Sequence, residues 1–271
     1  MRVEAGQVAV VTGGASGIGR GMVDAFASRG LTVVLADVEQ GQLEEAVREV
    51  TATGARAVGV QVDVRDAEAM EALAERVLGE LGRVDVLCNN AGVVTTRLPV
   101  WQQTAEDWRW IVEVNLIGTA NGLRAFVPAM VEARRGHVVN TSSIAGLAPI
   151  PGGGNGAYSA TKHAVVGLSE TLRLELDAVA PEVGVTVLCP GPVPSRIHDA
   201  ARNRPADLPP ARTDGDLPKP AFELGLERVS AERVGELVVA AIEERRTYLL
   251  PAPDTHPLAR ARIDGVLADL R

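Results

Sequence analysis

Six apolar runs of strand length, separated by segments of helical period, fill the chain from its first residues to Cys189 and leave it few folds to choose from. The runs are Val8 to Val11, Thr32 to Ala36, Ala57 to Val64, Val84 to Cys88, His137 to Asn140 and Val185 to Cys189. None alternates apolar with polar. A strand that is apolar on both sides must be covered on both sides, and a strand–helix–strand alternation builds a parallel sheet with crossover helices. Between the runs, Leu43, Ala46, Val47 and Val50 keep an i, i+3, i+4, i+7 stripe, and Met70, Leu73, Ala74, Val77, Leu78 and Leu81 keep another. A longer helix is predicted from Thr104, where Thr104-Ala105-Glu106-Asp107 resembles a capping box with Asp in place of Glu, to about Ala133. Trp101, Trp108 and Trp110 at its entry are read as packing that helix on its neighbours. A last helix over Ser230 to Glu244, a short strand around Tyr248 to Leu250 and a C-terminal tail follow.

From Ser195 to about Val229 the texture changes, with Pro205, Pro209, Pro210, Pro218 and Pro220 among Arg, Asp and Gly. Loops of this length inside a compact fold are functional lids or linkers, and a substrate lid over 195–229 is expected. No repeat or boundary divides the chain, so residues 1–271 are read as one domain.

With 27 basic and 35 acidic residues, the chain carries a formal charge of −8, which repels a phosphate backbone and argues against nucleic acid as a partner. No apolar stretch reaches the roughly 20 residues that span a bilayer, and the N-terminus has no apolar leader region, so no membrane and a cytoplasmic location are expected. Cys88 and Cys189 close apolar runs and read as buried thiols; with four scattered His they suggest neither a disulfide nor a metal site.

Chemistry begins at the first strand–helix turn, Thr12-Gly13-Gly14-Ala15-Ser16-Gly17-Ile18-Gly19. Glycines there allow a tight turn and close backbone approach, while the following helix presents free N–H groups to a pyrophosphate. A P-loop is excluded by Arg20 and Gly21, which stand where Lys and Ser/Thr would be needed. The second strand ends in Asp37, 20 residues beyond Gly17, the place of the carboxylate that accepts hydrogen bonds from an adenosine ribose. It would repel a 2′-phosphate, and Val38, Glu39 and Gln40 supply no cation, which favours NAD over NADP. Tyr158 and Lys162 stand four apart on a helix, so an ammonium can sit near a phenol and is expected to lower its pKa.

Together with Asp63, Asn89-Asn90-Ala91-Gly92, Asn115, Ser142-Ser143 and Pro190-Gly191, this ordered set closely resembles the short-chain dehydrogenase/reductase family in its short single-domain form, over about residues 5 to 250. The resemblance implies a doubly wound α/β Rossmann fold, a seven-stranded parallel sheet with helices on both faces. It makes Tyr158 the acid/base, Lys162 the residue that lowers the Tyr pKa and holds the nicotinamide ribose, and Ser143 the hydroxyl that polarises the substrate oxygen. Asn115 matches an asparagine that holds a relay water, Asp63 and Val64 an adenine contact, and Asn90 to Gly92 the lining of the cofactor cleft. Gly13, Ser16, Gly17, Ile18 and Gly19 would cradle the cofactor, and Pro190, Gly191, Val193 and Ser195 would meet its nicotinamide, Ser195 replacing the usual Thr. Ser143 and Tyr158 are two residues further apart than is usual in the family, and Pro151-Gly152-Gly153-Gly154-Asn155-Gly156 looks like the insertion. The implied activity is hydride transfer between NAD and a secondary alcohol or ketone, in a homotetramer or homodimer. The alternatives are reduction of a 3-oxoacyl thioester and a non-catalytic cofactor-sensing scaffold.

Overall fold

The computed structural model describes residues 1–210 and 226–270. Its strands are β1 Val8–Thr12, β2 Thr32–Asp37, β3 Ala57–Gln61, β4 Val86–Asn89, β5 His137–Thr141, β6 Gly184–Leu188 and β7 Tyr248–Leu249. All pair in parallel, in the order β3-β2-β1-β4-β5-β6-β7. This is the parallel sheet with crossover helices that the apolar runs predict, in the doubly wound α/β form that the family resemblance implies. Because successive side chains of a strand face opposite ways, each strand feeds two cores. Val10, Val34, Leu87, Val138 and Val185 meet α3 (Ala67–Leu81), α5 (Gly118–Ala133) and α6 (Gly156–Val179) on one face. Val11, Val33, Val86 and Val139 meet α1 (Gly17–Ala27), α2 (Gln40–Ala52) and α7 (Ala231–Glu243) on the other. Helices α1 and α7 touch through glycine: a Cβ on Gly235 would lie 2.1 Å from the Gly21 carbonyl oxygen.

Local chemistry sets the helix ends. Asp66 caps α3 by accepting from the Ala69 N–H, and Ser230 caps α7 by accepting from the Arg233 N–H. Thr104 and Asp107 form the reciprocal capping box of α4 (Ala105–Val112).

Several expectations need correction. Strand β3 stops at Gln61, not Val64, because its neighbour β2 ends at the paired Asp37 and offers no further ladder. The long helix from Thr104 to Ala133 is not regular: a π-helical turn, Glu113–Ile117, separates α4 from α5. Only Trp110 of the three tryptophans is buried in the core, and Trp101 is 84% exposed. The C-terminal tail holds a helix, α8 (His256–Asp269), whose Ile263, Val266 and Leu267 face solvent, so it carries no core-facing stripe to read. Ile197–Asn203 winds as a 3-10 segment that buries Ala200, and Leu208 packs on the core, so the first part of the expected lid is anchored. Residues 211–225 of that lid lie outside the described residues.

Candidate active site

The strand order reverses between β1 and β4, and the loops leaving their carboxyl ends open a crevice there, the usual ligand site of an open α/β sheet. Both exits are laced together. Thr12 Oγ1 accepts from the N–H groups of Asn90 (2.9 Å) and Ala91 (3.1 Å), and Asn90 Nδ2 donates to the Thr12 carbonyl at 3.0 Å. The glycine-rich turn needs its glycines. Gly13 and Gly17 have φ of 63° and 53°, and a Cβ on Gly19 would fall 2.0 Å from the Gly13 carbonyl oxygen. Ser16 precedes α1 without a side-chain cap bond, which leaves the first N–H groups of the helix to a ligand. Ser16, Gly17 and Ile18 line the crevice.

Asp37 closes β2 at the same crevice, each carboxylate oxygen taking one backbone N–H at 3.1 Å, from Ala15 and Glu39. Burial raises its pKa, the backbone hydrogen bonds working against that rise. Asp63 is held by Arg65 at 2.7 Å; burial raises its pKa, but the Arg65 hydrogen bonds outweigh burial and leave it lowered. Asp63, Val64, Asn90 and Gly92 also line the crevice. These groups suit a dinucleotide: a glycine cradle that a Cβ would fill, an uncapped helix N-terminus, and a carboxylate with spare lone pairs where a ribose would lie.

At the far end stand Ser143, Tyr158 and Lys162. Ser143 follows β5 and caps a 3-10 turn, Ile144–Gly146, its Oγ accepting from the Ala145 N–H at 3.1 Å. It lines the crevice together with Tyr158, and against the burial that raises the phenol's pKa its side chain works to lower it. Neighbouring Ser142 turns away, donating to the Lys162 carbonyl at 2.7 Å. Lys162, one helical turn beyond Tyr158 on α6, is 3% exposed; its Nζ donates to the Thr141 carbonyl at 2.8 Å and lies 5.6 Å from the Tyr158 ring centre. Burial brings the Lys162 pKa down to about 8. The expected lowering of the Tyr158 pKa is not what this arrangement gives. Burial pushes the phenol up, the Ser143 side chain draws it down, and burial wins.

Asn115 lies in the π-helical turn and is wholly buried. Its Oδ1 accepts from the Val93 N–H at 2.8 Å and its Nδ2 donates to the Val93 carbonyl at 3.0 Å, so the amide is committed to fastening the chain after β4. Pro190, Gly191, Val193 and Ser195 form the opposite wall, and a Cβ on Gly17 would lie 2.8 Å from Ser195 Cβ. The inserted loop is pinned: Gly152, Gly153 and Gly154 all have positive φ, Arg97 donates to the Gly152 and Gly153 carbonyls, and the Leu98 N–H to that of Gly154.

Sequence reasoning missed an apolar wall of Val94, Trp110, Ile144, Ile150 and Ile197, and also Asn155, whose buried Oδ1 has no hydrogen-bond partner among the described residues. It also missed Arg196, Arg202 and Asn203, which reach across the crevice to Glu39. No local spacing announces them, because only the fold brings them together. Among the described residues no helix is long and apolar enough to cross a membrane.

Set against known proteins, residues 7–206 match the family described as short chain dehydrogenase. The 1-deoxy-11-beta-hydroxypentalenate dehydrogenase of Streptomyces exfoliatus is 37% identical over 262 residues, 96% of this chain and 88% of that protein. A short chain dehydrogenase/reductase from Burkholderia phymatum, solved in complex with NAD, superposes with a TM-score of 0.89 at 37% identity, covering 100% of this chain and 98% of its own. A metagenomic short-chain oxidoreductase in complex with NADP superposes at 0.72 and 31% identity, covering 92% of this chain and 97% of its own.

Proposed function

The chain belongs to the short chain dehydrogenase family of oxidoreductases, and from that premise we propose that it moves hydride between NAD and a hydrophobic secondary alcohol or its ketone, with Tyr158 as acid/base. The observation that carries this reading is the convergence of Ser143 and Tyr158 on one crevice, with Lys162 Nζ 5.6 Å from the Tyr158 ring, beside an apolar wall and next to the glycine-rich cradle. NAD, when bound, accepts the hydride in alcohol oxidation and returns it in ketone reduction.

Gly13, Ser16, Gly17 and Ile18 would hold its pyrophosphate, with Gly19 supporting the turn beneath the Gly13 carbonyl, Asp37 its adenosine ribose, and Asp63, Val64, Asn90 and Gly92 the adenine side of the cleft. Pro190, Gly191, Val193 and Ser195 would bound the nicotinamide. Ser143 donates a hydrogen bond to the substrate oxygen, which gains negative charge as its proton leaves. Tyr158, as the phenolate, takes that proton at its oxygen in oxidation and, as the phenol, gives one back in reduction. Lys162 favours the phenolate electrostatically, and Asn115 positions the strand exit beside it. Trp110, Val94, Ile144 and Ile150 suit an apolar ring system, in keeping with a relative named for a hydroxypentalenate.

The same reading takes residues 1–271 as one domain, with 195–229 as a lid at the substrate end. It also assembles the chain as a homotetramer or homodimer in which α6, whose Leu174 is 72% exposed, meets a second copy.

A panel of apolar secondary alcohols with NAD, followed by formation of reduced nicotinamide, tests the activity. Tyr158→Phe is expected to lose about 10²- to 10⁴-fold in kcat, the usual share of a positioned acid/base, while NAD binding stays within a few-fold. Near-normal turnover by the variant would overturn the assignment of Tyr158.

A further inference from the structure

No cation follows Asp37 in the chain, yet the fold supplies two from 157 and 163 residues beyond Glu39. Glu39 Oε1 accepts from Arg202 Nε at 2.9 Å, from Arg202 Nη2 at 2.5 Å and from Asn203 Nδ2 at 3.1 Å. Its Oε2 accepts from Arg196 Nη1 at 3.3 Å. The Glu39 N–H in turn donates to Asp37 Oδ1 at 3.1 Å, so this cluster adjoins the ribose carboxylate, and Asp37, Glu39, Arg196, Arg202 and Asn203 all line one crevice. Asp199 takes a lesser share of both guanidiniums, at 3.4 Å and 3.8 Å, and is 65% exposed.

We propose that Glu39 is a second determinant of cofactor choice, because it occupies the guanidinium groups of Arg196 and Arg202 that would otherwise bind the 2′-phosphate of NADP. This rests on the reading of the crevice as a dinucleotide site, and it concerns the adenosine end alone. Three carboxylates, Asp37, Glu39 and the exposed Asp199, face two guanidiniums here. A 2′-phosphate brings roughly two further negative charges and three acceptor oxygens, and each Arg–phosphate contact is a charge-assisted hydrogen bond with fork geometry. With Glu39 ionised, both forks are already taken at ion-pair distance. Without its charge only the weaker, exposed Asp199 still engages them, and their forks are open to a stronger anion. Arg202 remains anchored by donating from Nη1 to the Arg196 and Asp199 carbonyls, so its head group stays at the crevice.

Calorimetric titration of NAD and NADP, which needs no substrate and no turnover, tests this in the wild type, Glu39→Gln, and Glu39→Gln combined with Arg196→Gln and Arg202→Gln. Glu39→Gln is expected to tighten NADP by about tenfold or more and to change NAD by less than about threefold, the tenfold being 1.4 kcal/mol. Removing the arginines should abolish the gain while NAD binding persists, which also reports an intact fold. The gain should shrink as ionic strength rises. Unchanged NADP affinity in Glu39→Gln, a parallel change for both nucleotides, or a gain that survives loss of both arginines would overturn the proposal. The wild-type preference separately tests the Asp37 reading: equal affinities there would reject Asp37 as the discriminator, and a rise on Glu39→Gln would still support Glu39.

Discussion

Ser142 and Ser143 are neighbours at the end of β5, yet one hydroxyl is spent on the Lys162 carbonyl and the other faces Tyr158. Ser143→Ala should therefore lower kcat by about 10²- to 10³-fold, the loss of one aimed donor, and Ser142→Ala by much less. Steady-state kinetics on the same alcohol decides between them. Lys162 makes a different prediction. Its pKa is about 8 in the fold against 10.5 ordinarily, so between pH 8 and 10 the unfolded chain binds more protons and stability rises with pH. The slope contributed is at most about 1.4 kcal/mol per pH unit. Urea unfolding at both ends of that window should show wild type gaining stability relative to Lys162→Met as the pH rises. Cys88, Cys189, Tyr158 and Tyr248, whose pKa values burial raises, pull the other way toward alkaline pH, and do so in both proteins. Tyr158, Lys162 and Ser143 were legible because the i, i+4 spacing and the end of a strand fix where side chains point. The balance between burial and charge at Tyr158 was not, since desolvation depends on walls drawn from distant segments.

Helices and strands were legible wherever one face is buried, as with α2 and α3, because burial imposes a period. The helix α8, with no core-facing stripe, left no such mark. Glycines show the same division between what sequence declares and what packing decides. Gly79 on α3 has open space around it, and Gly79→Ala should stabilise by up to about 1 kcal/mol through helix propensity. Gly235→Ala gains the same propensity but drives a methyl to 2.1 Å from a backbone carbonyl. Overpacking of this kind costs about 1–3 kcal/mol, so the clash wins and the melting temperature should fall by several degrees. Calorimetric scans of the two variants should show opposite signs. The insertion Gly152 to Gly154 was legible as a departure in length, but its fastening by Arg97 was not, for a bond across 55 residues has no local signature.

Across the whole molecule, two ion-paired clusters tie the described part of the segment after β6 to the rest of the fold. One is the buried ion pair between Arg204 and Asp107, 2.7 Å apart with side chains 6% and 4% exposed, set against Trp110 and built on the residue that completes the α4 capping box. Arg204→Met strands a buried carboxylate, at a cost of about 3–5 kcal/mol, and should lower the melting temperature by roughly 5–10 °C; adding Asp107→Asn should recover part of it. The other centres on Glu39. Its contacts cross a seam in the architecture: the cradle and Asp37 come from the first three strands, while Ser143, Tyr158, Lys162 and all of the substrate wall but Val94 come from α4 onward. Were the seam uncrossed, the two specificities could drift apart in evolution or be exchanged separately in the laboratory. Because Arg196 and Arg202 travel with the substrate wall and answer to a glutamate on the nucleotide side, they cannot. A graft that replaces this segment to admit a new alcohol carries the preference for one nucleotide along with it, and a chimera needs a matched residue at position 39 to keep the two traits independent.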